Sequence, residues 1–86
     1  MSDDPATCVL LELLAARGPD KSFCPSEAAR RLDPEHWRDR MDDVRAAAAT
    51  LRARSQLEVT QQGEPVDPAT ARGPVRYRRP QPGPGA

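Results

Sequence analysis

The chain has no apolar run approaching the ~18 residues of a membrane span, and its opening, MSDDPATC, is acidic where a secretion signal would be basic. These two absences lead us to expect a soluble, cytoplasmic protein. Cysteine and histidine are scarce, limited to Cys8, Cys24 and His36. In a reducing compartment the two cysteines are expected as free thiols. With His36 they would supply three zinc ligands separated by 16 and 12 residues, far from the close pairs of a zinc knuckle, so no metal is expected. Glycine-rich phosphate loops, dinucleotide fingerprints and calcium loops are also missing, which removes the usual cofactors. No nucleophile stands with a base. Glu35 and His36 are sequence neighbours, which do not face one another on a helix, and Cys24 at a helix start has only its position to lower its pKa. We therefore do not expect an enzyme.

Eighty-six residues fit one small domain. A chain of this size hides only about 60% of the surface its unfolded form exposes, so the core must be modest. Candidate core residues are Val9, Leu10, Leu13, Leu14, Phe23, Leu32, Trp37, Met41, Val44, Leu51, Leu57, Val59, Val75 and Tyr77, enough for one layer of helices on a small sheet. The formal net charge is zero, but residues 1–43 carry six basic and ten acidic side chains while residues 44–86 carry seven and three. Twelve of the thirteen basic residues are arginine, and no lysine follows Lys21. The planar guanidinium suits phosphate, carboxylate and aromatic faces.

Punctuation along the chain defines the elements. Asp4-Pro5 starts a helix that Gly18-Pro19 stops, with Val9, Leu10, Leu13 and Leu14 on one face and Cys8 and Glu12 turned away. Lys21–Cys24 is a brief extended segment. Cys24 then caps a short helix, Pro25–Leu32, in which the Glu27 carboxylate is placed to reach back to the cap. Ala28, Ala29 and Leu32 face inward, and Arg30 and Arg31 outward. Asp33-Pro34 opens another helical turn, where Trp37 is expected to plug a corner of the core. MDDVRAAAATLRARSQ is the strongest helix, with Met41, Val44, Ala48 and Leu51 on its inner stripe and Asp42, Arg45, Ala49 and Arg52 on its outer one. The period then becomes two. Leu57 and Val59 alternate with Glu58 and Thr60, and Val75 and Tyr77 with Arg76 and Arg78, as two antiparallel half-buried strands. Gly63–Gly73 joins them as a long loop. The ordered domain covers residues 1–79, and 80–86 form a Pro/Gly tail expected to be disordered.

The fold class read from this order is mostly α with a small antiparallel sheet, and the sequence helix, short strand, helix, helix, strand, loop, strand is that of a winged helix-turn-helix. The runs RGP, PSEAARRL, DDVRAAAATL, VTQQGEPVDP and ARGPVRYR, with the lone Trp37, resemble the pattern of a small bacterial family of winged-helix proteins catalogued as a domain of unknown function. The likeness extends over about residues 9–78, and PSE, TQQG and ARGP together are its most specific part. It implies the fold and leaves the function open.

Double-stranded DNA is the partner this fold most readily takes. The third helix would enter the major groove through Arg45 and Arg52, and Arg72, Arg76 and Arg78 of the wing would grip phosphates, with Gln61 near the wing and Arg30 and Arg31 adding backbone contacts. A transcriptional regulator would work this way. The alternative is a protein-interaction module on the same scaffold. Asp39, Asp42 and Asp43 crowd the start of the third helix, where they suit the helix dipole and a protein partner better than a phosphate backbone.

Overall fold

A computed structural model describes residues 4–18, 21–68, 70–71 and 73–80 of the chain, so most of the 80–86 tail lies outside the described residues. Three α-helices, α1 (Pro5–Arg17), α2 (Pro25–Leu32) and α3 (Met41–Ala53), precede three short strands, β1 (Glu58–Gln61), β2 (Glu64–Pro65) and β3 (Arg76–Arg78). A 3-10 turn, Trp37–Arg40, leads into α3. Among the described residues no helix is long and apolar enough to cross a membrane.

The two proline-led helices start where their caps dictate. Asp4 accepts from the Thr7 amide at 3.4 Å and from its hydroxyl at 2.9 Å, and α1 ends at Gly18, whose φ of +78° a residue with a side chain rarely adopts. At α2 the Cys24 side chain makes no capping bond, and the Glu27 carboxylate does not reach back as expected. It pairs instead with Arg17 at the end of α1, which ties the two helices together.

Among the described residues fourteen buried apolar side chains form one core, in which Leu10, Leu13 and Leu14 of α1 share space with Val44 and Leu51 of α3, Leu57, and Val59 of β1. Alanine contributes more than its hydrophobicity suggests. Ala6, Ala28, Ala29, Ala47 and Ala48 are all buried. Their small side chains let the helices approach closely, a role that the apolar pattern of the sequence does not reveal for Ala6 and Ala47. Trp37 is half-buried at the margin, with the guanidiniums of Arg30 and Arg38 each 4.6 Å from its ring centroid. It packs against the core without plugging it, because its ring also serves as a platform for two cations.

Strand order is β2-β1-β3, antiparallel throughout. The expected extended segment joins at the far edge. Phe23 and Tyr77 exchange both backbone hydrogen bonds, at 2.9 and 2.8 Å, and their rings meet edge-on with centroids 5.8 Å apart. Two departures from the sequence reading concern the sheet. Thr60 was placed on the solvent side by alternation, yet it is buried, because β1 is central and Thr60 sits between Pro65 and Arg76, donating its hydroxyl to the Arg76 carbonyl at 3.4 Å. The second departure is β2, in a stretch expected to be a free loop. Gln62 and Gly63, at φ of 54° and 82°, make a two-residue turn that returns the chain at once, and Pro65, lacking an amide, sits on an edge strand where it costs least. Beyond β2 the chain turns again: the amides of Thr70 and Ala71 both donate to the Asp67 carbonyl. At the end of α3, Ser55 takes a φ of 60° and stops the helix at Ala53, short of the Gln56 the sequence suggested.

Candidate nucleic-acid interface

The outer surface of α3 is uncovered. Its outermost line, at helical spacing, is Asp42, Ala46, Ala49 and Ala53, all exposed. Arg45 and Arg52 lie along one edge of that line, both exposed and two turns apart, or roughly 10.5 Å along the axis. Arg45 approaches Asp42 at 3.4 Å, but with side chains 62% and 98% exposed the pair is held weakly against solvent. Arg52 has no carboxylate partner among the described residues. At the head of the helix, Asp43 contacts Arg40, which also reaches Asp33, so the acidic cluster is partly neutralised locally.

The other candidate residues have different surroundings. Arg78 is the most engaged: its Nε donates to Glu58 Oε1 at 2.9 Å and its terminal amine bonds the same oxygen, the two side chains being 19% and 20% exposed. Arg76 crosses to the 21–24 segment and bonds the Ser22 hydroxyl at 2.6 Å and its carbonyl at 2.9 Å. Gln61 donates to the Pro74 carbonyl at 3.3 Å, bracing the return of the loop. Arg72 lies outside the described residues. Of the named set, then, Arg45 and Arg52 share one helix edge, while Arg76, Arg78 and Gln61 hold the sheet and its loop together.

Arg79, which the sequence offered only as the domain's last residue, reaches back to the Leu14 carbonyl at 3.0 Å and the Ala15 carbonyl at 3.5 Å. It thus satisfies acceptors in the last turn of α1, where a cation also suits the helix dipole.

Arg45 and Arg52 also border a groove of about 770 Å³ between α3 and Asp67, Pro68, Ala71, Gly73, Pro74 and Val75. Its walls are Met41, Ala48 and Ala49 on the helix and Pro68, Pro74 and Val75 opposite, with Val59 and Tyr77 beneath and Cys24 and Ser26 at one end. Nothing in the sequence pointed to this groove, because it depends on the loop folding toward α3. Two ionisable groups lining it are shifted. The Cys24 thiol is lowered from its usual 9.0, chiefly by its hydrogen bond with the Ser26 hydroxyl, against an opposing effect of burial. Tyr77 is raised above 10.0 by burial, which the nearby charge of Arg45 only partly offsets.

A family described as Protein of unknown function (DUF3253) matches residues 3–80, and the chain belongs to that family. No curated protein matches it.

Proposed function

We propose that the chain is a winged helix-turn-helix that binds double-stranded DNA and acts as a transcriptional regulator, with α3 in the major groove and the β1–β2 hairpin as its wing. The element order, the α2-turn-α3 arrangement and the pairing of Phe23 with β3 support the fold assignment. The observation that carries the function is the pair of exposed guanidiniums on one edge of α3, Arg45 with only a solvent-exposed carboxylate nearby and Arg52 with none among the described residues. Their spacing lets one reach a base edge while the other takes a phosphate. The contact set is narrower than the sequence suggested. Arg76 and Arg78 are committed to Ser22 and Glu58, and Gln61 to Pro74, so the polar contact at the hairpin tip passes to exposed Gln62.

Replacing Arg45 with alanine is expected to weaken specific duplex binding by about 1–3 kcal/mol, read by fluorescence polarisation. An unchanged binding curve would remove α3 as the reader.

A protein-interaction module is the second reading, and one observation favours it: the outermost line of α3 is Asp42 followed by three alanines, a small and nearly uncharged surface that a protein partner accepts more readily than a phosphate backbone. Retention on random duplex at low salt separates the two.

A further inference from the structure

The groove beside α3 combines properties that a DNA-reading surface does not need. It is concave, about 770 Å³, and so within the range of small-molecule sites, which are mostly apolar with a few polar groups converging on them. Alanine at positions 48 and 49 creates the space, since any longer side chain there would fill it. The opposite wall includes Pro68 and Pro74, whose rings fix their own φ, and the Gln61 side chain donates to the Pro74 carbonyl at 3.3 Å. Among the described residues its charged lining is two arginines, Arg45 and Arg52, against one carboxylate, Asp67. Arg45 lies at the end nearer Met41 and close enough to Tyr77 for its charge to act on the phenol.

We propose that this groove binds a small amphipathic carboxylate, its acid group on Arg45 and its apolar body laid along Ala48, Ala49, Pro74 and Val75 toward Arg52. Charge decides the class of ligand. An amine would meet two guanidiniums, and a neutral apolar molecule would leave Arg45 with only its exposed contact to Asp42. A carboxylate replaces that contact with a charge-assisted hydrogen bond in a less solvated setting, where such a bond is stronger.

The test uses the full chain without DNA, so its outcome is independent of the duplex-binding reading. Three probes with the same apolar body, octanoate, octan-1-ol and octylammonium, are titrated into ¹⁵N-labelled protein. Octanoate is expected to shift the amides of Ala48, Ala49, Val75 and Tyr77 and to bind at least about tenfold more tightly than either of the others, the ratio a single hydrogen bond to a charged group supplies. Arg45→Ala should remove that preference and Arg45→Lys should keep part of it, with both folds checked by circular dichroism. Equal affinity for octanoate and octan-1-ol, shifts confined to another surface, or no shifts up to about 10 mM, well above the range expected of a ligand this size, would each overturn the proposal. One corollary does rest on the DNA reading: because Arg45 and Arg52 serve both roles, octanoate should lower duplex affinity in the parent chain.

Discussion

Arginine serves two different purposes at the two ends of the second half of this chain. On α3, Arg45 and Arg52 stand exposed on a helix edge, one with a carboxylate that is itself almost wholly in solvent and the other with none among the described residues. On and after β3, Arg76, Arg78 and Arg79 are held by Ser22, Glu58 and the last turn of α1. The residue type is the same, and α3 even balances its two arginines with Asp42 and Asp43, yet only there are guanidiniums left for a partner. The second uses them as fasteners, each linking β3 or its exit to an element distant in sequence. A count of basic residues is therefore a poor guide to a cationic surface. What decides is whether a carboxylate or an unpaired carbonyl lies within reach of each guanidinium.

Substitutions at the two places should separate stability from binding. The largest loss of stability is expected at Arg78, where alanine leaves a mostly buried Glu58 carboxylate without its partner, at about 2 kcal/mol in urea unfolding, with duplex affinity little changed. Arg76→Ala removes solvent-facing bonds to half-buried Ser22 and should cost about 1 kcal/mol. Arg45→Ala, by contrast, should move the unfolding midpoint by no more than about 0.5 kcal/mol while weakening binding. Were Arg78→Ala to leave stability unchanged and reduce binding, the division between fasteners and contacts would fail. A smaller effect sharpens the picture at the groove. The thiolate of Cys24 is favoured by Ser26, so its alkylation by iodoacetamide should rise with pH through a midpoint below 9.0, and Ser26→Ala should move that midpoint upward. No movement would mean that the Ser26 bond does not tune the thiol.

Local signals made much of the architecture legible. Asp4-Pro5, Gly18 and Pro25 set the bounds of α1 and α2 because capping and proline geometry act over three or four residues. The inner stripe of α3 followed from its 3.6-residue period, and an extended segment at Phe23, between Pro19 and Pro25, followed from the helix stop before it and the helix start after it, though not the strand it pairs with. What stayed hidden was set by distance along the chain. Arg78 finds Glu58 across 20 residues, Arg76 finds Ser22 across 54, and Arg79 finds Leu14 across 65, and no periodicity carries that information. The hairpin at Gln62-Gly63 was concealed for another reason. Glutamine is an unusual first residue for a turn needing positive φ, so the segment read as the start of a long loop. The candidate site followed the same division: the Arg45 and Arg52 edge could be drawn from helical spacing, whereas the groove beside it required the loop's return.

The most direct measurement is the salt dependence of binding to random duplex DNA, by polarisation at two ionic strengths. On random duplex, with no specific base to read, the two exposed arginines of α3 both rest on phosphates and predict measurable low-salt binding whose log–log slope is near −2, since each neutralised phosphate contributes about −0.9, and Arg45→Ala should reduce that slope by about one unit. Absence of low-salt binding, or a slope unmoved by that substitution, would contradict the account and turn attention to a protein partner for the alanine face of α3.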